Sequence, residues 1–258
     1  MTQWLLLHLS WWQIAAIFAV APVPIAMAGL ALVRRRVDPE LLLANNEEGG
    51  VIFAIVGTIY AILLAFLVVV AWENLGAADK NVAEEAATVV ALYRDTHAFP
   101  PEVATNLQAH IRDYTDAVIG TEWDTMAYGR ESPEAHDRLN ALWSAFTSIN
   151  STSAPQAYTE AFSELNTLTR DRELRLYNSR AEIPTLFWAF LMPGGILIVG
   201  FTYFFGMKNG HVQLAFTGVL AFTVGATLFL IVTLDHPFTG DVRVQPDAFV
   251  AALSYMDR

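Results

Sequence analysis

Glu73, Asn74, Asn81, Glu84 and Glu85 lie close together, directly after an aliphatic run that ends at Trp72. Carboxylate and amide oxygens are hard ligands. Converging around an axis, they concentrate cations and can bind Ca2+, with Glu84 and Glu85 as the candidate metal-binding pair. At about 100° per residue, Glu73, Lys80 and Glu84 share one helix face, and Asn74, Asn81 and Glu85 lie one residue round from it. Two readings stay open for this ridge. Repeated in a cyclic oligomer it is a ring at a pore entrance; in a single chain it is a solvated or bundle-packing face, with a Lys80–Glu84 pair worth a few tenths of a kcal/mol.

A second candidate is Asp235, followed by His236-Pro237-Phe238. A carboxylate at the end of a helix is electrostatically unfavourable, so Asp235 needs a partner: an Arg from the 170–180 cluster, or the same pore mouth. Arg172 and Arg175 share a face and are expected to neutralise the acidic ridge of a neighbouring helix. Catalytic signatures are missing. The sequence has no phosphate loop, HExxH or GxSxG, and its six His are scattered without metal-ligand spacing. The absence of Cys excludes disulfides, thiolate metal sites and Cys nucleophiles. A membrane-embedded hydrolase would need His and carboxylates gathered in a pocket, so the expectation is no enzyme and no cofactor beyond a Ca2+ ion.

The elements that must position these groups follow from hydropathy. The chain has 258 residues and is 54% hydrophobic. Charge-free runs over 11–33, 51–72, 186–206 and 212–234 each approach the ~20 residues that cross ~30 Å of hydrocarbon as helix. The expected fold is therefore an all-α membrane protein with four transmembrane helices. Its organisation is 1–72 (spans 1 and 2 with an Arg-bearing loop), 73–184 (an acidic extramembrane helical bundle), 185–234 (spans 3 and 4) and 235–258 (a tail with a short amphipathic helix at 246–256). Spans 2 and 3 are expected to continue into long helices of that bundle. After Trp72 the spacing Val82, Ala86, Val89, Val90 and Tyr93 keeps one apolar face as far as the break at Pro100-Pro101. Pro22 and Pro24 predict an interruption of span 1, and Gly218 and Gly225 share a face of span 4 suited to close packing.

No basic region precedes the first run, so it reads as a retained span and not a cleaved leader. Arg34, Arg35 and Arg36 after span 1 and Lys208 after span 3 place those short loops on the cytoplasmic side of the cell's inner (plasma) membrane. The N-terminus, the 73–184 domain and the C-terminus are then extracytoplasmic. Residues 73–184 hold eighteen acids against nine bases, a net −9, which repels nucleic acid and attracts cations. The spans contain no Asp, Glu, Lys, Arg or His. That counts against coupled transport, which places ionisable groups at membrane depth. A passive pore remains open, lined by groups such as Thr58, Tyr60, Thr202 and Thr223.

Several segments occur together in one order: "WENLGAADKNVAEEAATVVALYR", "YTDAVIGTEWDTM", an Arg-rich run before "IPTLFWAFLMPGG", "VGFTYFFG" and "LDHPFTGDVRVQPDAF". Over residues 40–255 the chain resembles a bestrophin-like family of four-span bacterial and plant membrane proteins. Its likeness to true bestrophins, which are oligomeric ion channels, is more distant. The resemblance implies a channel-type architecture and marks Trp72, Glu73, Asn81, Glu84, Glu85, Arg94, Glu122, Trp123, Pro184, Trp188, His236, Pro237 and Gly240 as family motif positions. Bestrophins keep the large domain in the cytosol, in conflict with the Arg count, and no bestrophin-type aromatic neck is evident here to carry over anion selectivity. The expected function is an oligomeric, cation-permeable channel with Ca2+ as a candidate ion. The alternative is a non-conducting scaffold or sensor whose acidic bundle binds a protein partner or Ca2+. Expected partners are the lipid bilayer, copies of the chain itself and inorganic ions, with no nucleic acid.

Overall fold

The computed structural model describes residues 2–44, 46–149 and 155–258. Among them there are helices, turns and connections but no strand. The elements are α1 (Thr2–His8), α2 (Trp11–Ala15), α3 (Pro22–Arg36), α4 (Pro39–Ala44), α5 (Asn46–Asp95), α6 (Pro101–Ala117), α7 (Trp123–Met126), α8 (Pro133–Thr147), α9 (Pro155–Ser179), α10 (Thr185–Phe201), α11 (Gly210–Leu234) and α12 (Asp247–Met256). Four helical stretches are long and apolar enough to cross a membrane: Trp11–Arg36, Asn46–Ala98, Thr185–Phe204 and Gly210–Leu234. The chain divides into two compact units, Met1–Glu73 with Glu182–Asp235, and Asn74–Ala181 with His236–Arg258.

In the first unit the prolines of span 1 are absorbed by a π turn over Ala16–Val20, where the Ala21 N–H donates to the Ala16 carbonyl five residues back at 2.8 Å. The extra residue lets the chain enter α3 at Pro22, whose missing N–H would otherwise leave a gap in an α ladder. Tyr60 of α5 is buried, and its hydroxyl donates to the Leu191 carbonyl of α10 at 2.9 Å. A Cβ at Gly194 would overlap that ring, which is why glycine stands there. Asn46 makes a two-way bond with the Gly206 backbone, donating at 2.8 Å and accepting at 2.9 Å.

α5 is one uninterrupted helix of 50 residues, about 75 Å at 1.5 Å per residue. The second unit packs Val82, Ala86 and Val89 of the expected stripe, together with Leu92, against Leu107, Ile111 and Tyr114 of α6, Leu139, Leu142 and Phe146 of α8, and Leu165 and Leu168 of α9, while Val90 and Tyr93 are only partly buried. Ser132, a residue type favoured at N-caps and followed here by Pro133, caps α8, its hydroxyl accepting from the Ala135 N–H at 3.3 Å. The Ser/Thr/Asn-rich segment at 148–155, whose composition predicts a loop, falls largely outside the described residues. Two features differ from expectation. The passage towards the third span is not one helix: α9 ends at Ser179 and α10 starts at Thr185, because Pro184 cannot continue a ladder and instead N-caps α10. The C-terminal tail belongs to the second unit, where Phe238 and Phe249 are buried with rings 5.7 and 5.9 Å from Trp123.

Candidate functional site

The residues after Trp72 separate by face. Trp72 and Glu73 are exposed, Asn74 and Asn81 half-buried, and Lys80 and Glu84 exposed and paired at 3.5 Å. Below them on the same face, Thr58, Ala61, Ala65 and Val69 are exposed too. Their spacing of three and four residues makes one continuous face: small and uncharged first, then Glu73, Gly76, Lys80 and Glu84.

Glu85 leaves this ridge, which corrects its expected role as a vestibule or Ca2+ group beside Glu84. It falls on the stripe of Val82, Ala86 and Val89 and is fully buried. Its carboxylate accepts from Arg175 Nε at 2.6 Å, Arg175 Nη2 at 3.0 Å and the Tyr114 hydroxyl at 2.6 Å. Arg175 Nη2 also donates to Glu122 Oε2 at 2.7 Å, and Arg172 donates to both oxygens of Glu122, its Nε at 3.2 Å. Two carboxylates and two guanidiniums thus neutralise one another in the core of the second unit. Arg175 is also stacked 5.6 Å from the rings of Trp123 and Phe249.

Glu122 reaches this cluster through local geometry. It closes a second π turn, Val118–Glu122, whose inserted residue turns both Glu122 and Trp123 into the core. Burial alone would raise the Glu122 pKa, but the charges of Arg175 and Arg172 outweigh it and hold the carboxyl below its ordinary value. Burial would likewise lower Arg175, yet Glu85 and then Glu122 hold it above the usual arginine range. Tyr114 is pushed well up by burial first and by the Glu85 charge second, so it stays a protonated donor.

The remaining motif positions are structural. Asp235 is buried and accepts from the Ile183 N–H at 2.7 Å, within the first unit. His236 is buried; the Pro237 carbonyl accepts from the Val244 N–H at 2.9 Å, and Gly240 takes a φ of 86° that closes this turn. Trp188 is buried, while Arg94 and Pro184 are exposed. Of the hydroxyls considered for a pore, Tyr60 is used between helices, whereas Thr58 and Thr223 bond back to carbonyls of their own helices.

Sequence reasoning missed two things. Tyr114 reads as one more apolar stripe residue, although a tyrosine at the centre of a stripe signals a buried hydroxyl needing a partner. Asp95, Glu160 and Glu164 form a second acidic group in the second unit. Burial first, and then mutual repulsion, raises Asp95 and Glu164 above their ordinary values. Among the described residues no three His, Cys, Asp or Glu are arranged to hold a metal ion.

A Bestrophin-like domain matches residues 20–249. Among solved structures, a bacterial bestrophin homolog from Klebsiella pneumoniae aligns at a TM-score of 0.71 and 12% identity, over 93% of this chain and 98% of that one. A variant of the Klebsiella pneumoniae homolog gives the same score and identity over 92% and 97%. A structure described as a membrane protein aligns at 0.71 and 11% identity, over 92% and 96%. At such identities these likenesses carry the fold alone. No curated protein matches.

Proposed function

Because the chain belongs to the Bestrophin-like family, whose bestrophin relatives are ion channels, we propose that it is an oligomeric, cation-permeable channel with one face of α5 lining the conduction path. The observation that carries this reading is the exposed face itself. Thr58, Ala61 and Ala65 are small enough to leave room about an axis, and Glu73 and Glu84 supply carboxylates where the uncharged run ends. Two carboxylates against the single ammonium of Lys80 leave the mouth net negative, and a net-negative mouth between low-dielectric walls raises local cation concentration by about an order of magnitude. Glu85 has no part in the vestibule in this reading, since Arg175 and Tyr114 hold its carboxylate.

The test is the reversal potential of purified protein in planar bilayers under a salt gradient. Changing both Glu73 and Glu84 to Gln is expected to lower the cation-over-anion preference by about tenfold while leaving the fold intact. Unchanged selectivity removes the ridge from the pore. A second reading, a non-conducting scaffold or sensor that binds Ca2+ or a protein partner through its acidic unit, is favoured by the net −9 of residues 73–184, since a surface of one predominant sign attracts cations and basic partners. Preparations that do not conduct but gain thermal stability with Ca2+ would favour it.

Orientation belongs to the same proposal: the outer unit and both termini face away from the cytoplasm of the inner membrane. With no native cysteine, single substitutions report cleanly. Asp137→Cys is expected to react with a membrane-impermeant maleimide on intact spheroplasts, and Lys208→Cys only after lysis. The reverse pattern would put the acidic unit in the cytosol.

A further inference from the structure

The first unit contains an apolar cavity of about 360 Å3 between the first, third and fourth spans, within the about 300–1,000 Å3 typical of ligand sites. Its mouth is formed by Ile17, Ile25 and Ile196, all exposed, and its floor by Ala26, Ala221 and Gly225. The sequence explains the space. The π turn and Pro22 displace the first span locally, and three small floor residues leave the volume unfilled. From Ile17 to Ala26 the cavity runs along the first span for about 13 Å, close to one leaflet's share of the ~30 Å hydrocarbon layer. Tyr203 lines it, its ring lying against Gly29, where a Cβ would overlap the hydroxyl.

Both kinds of charge stand on the membrane-unit end beyond Tyr203. Arg34 donates to the Met207 carbonyl at 3.3 Å and also to Gln213, which ties the end of α3 to the connection before α11. Asn46 brings the start of α5 to Gly206 in the same connection. Exposed Arg35, Arg36 and Lys208 therefore share this end with exposed Asp38, Glu47 and Glu48. A phosphate finds cationic donors there, and an ammonium finds carboxylates.

We propose that this cavity is a binding site for one acyl chain of a zwitterionic, amine-bearing phospholipid whose headgroup lies at the Arg35–Arg36 end. The elongated apolar shape takes a single chain along the membrane normal, and the rim of mixed charge matches phosphate plus ammonium. The distance from Ala26 to Arg35, about 13 Å along the helix, is spanned by the part of the chain nearest the glycerol.

The test uses full-length protein reconstituted in phosphatidylethanolamine liposomes doped with phosphatidylethanolamine carrying a diazirine in the distal half of one acyl chain. After irradiation, peptides are mapped by mass spectrometry. Label is expected to be several-fold denser on 17–26 and 192–203 than on Ile55, Ile59, Ile62 and Phe66, an exposed face of α5 that the proposed conduction path does not use. Val199→Phe, which fills the cavity from its half-buried wall, should bring labelling down to the α5 level. Ala221→Leu fills it from the floor and should do the same, so that one misfolding variant does not decide the result; gel filtration identifies such a variant. Even labelling of all exposed span surfaces would overturn the proposal, as would labelling unaffected by either folded variant. So would crosslinks between two copies of the chain through residues 17–26, because a second copy would then cover the cavity.

Discussion

Arg175→Ala is expected to destabilise the second unit by about 3–5 kcal/mol, because it leaves Glu85 and Glu122 as uncompensated buried carboxylates. Removal of one partner costs far more here than the net worth of the pair, since Arg175 is fully buried and three of its bonds go to those two groups. Arg175→Lys should recover only part of the loss, for an ammonium cannot reproduce the planar fork that reaches both carboxylates and stacks between Trp123 and Phe249. The measurement is thermal unfolding in detergent followed by tryptophan fluorescence, with gel filtration as the check on folding. A shift no larger than that of an exposed control such as Arg94→Ala would show that the cluster is not what holds α5, α6 and α9 together.

The same cluster sets a pH dependence whose sign follows from Glu122. Its folded pKa lies below the ordinary 4.5, so its stabilising contribution is fully present above about that pH and is lost as pH falls through the lowered folded value. Thermal stability should therefore decline on the acid side of 4.5. Glu122→Gln should start less stable at neutral pH and show a shallower acid limb. An identical acid limb in the variant would remove Glu122 as its source.

Gly225→Ala is the second large effect, in the membrane unit. A Cβ there would fall far inside van der Waals contact with the Phe18 carbonyl oxygen and close to the Phe18 carbonyl carbon and Ala19 Cα, all backbone of the π-turn segment. Backbone cannot rotate out of the way as a side chain can, so the cost lies at or above the top of the usual 1–3 kcal/mol for overpacking. Gly218→Ala provides the contrast. Its Cβ would meet Met27 Sδ at 3.3 Å and Val23 Cγ1 at 3.4 Å, flexible groups that give way by tenths of an ångström. Thermal scans should separate the pair by several degrees; equal behaviour would mean that the π turn adapts to the added methyl.

How much of this was legible beforehand varies with the kind of information each feature needs. The spans were legible because crossing hydrocarbon is a property of each run's own transfer free energy, and the runs at 51–72 and 212–234 need no partner to declare themselves. The long α5 and its end at Pro100-Pro101 were legible because proline acts within a few residues. The break at 180–184 was not read, although Pro184 signals it, because the polar run before it continues in helix-forming residues. The π turn at Val118–Glu122 carries no local signature: nothing in "VIGTE" distinguishes it from α-helix, and only the reach of Glu122 to Arg172 and Arg175 justifies it.

Glu84 and Glu85 mark the division most sharply. The sequence by itself determined a four-span helical membrane protein with an acidic helical bundle outside the spans, and placed two adjacent carboxylates on a helix one step apart. Only the tertiary structure decided that Glu84 stays in water beside Lys80, while Glu85 is buried against Arg175, ninety residues on, and Tyr114. The physical reason is that the two residues have the same chemistry and differ by about 100° in direction. Whether that turn points a charge at solvent or at a guanidinium depends on what a distant helix presents there.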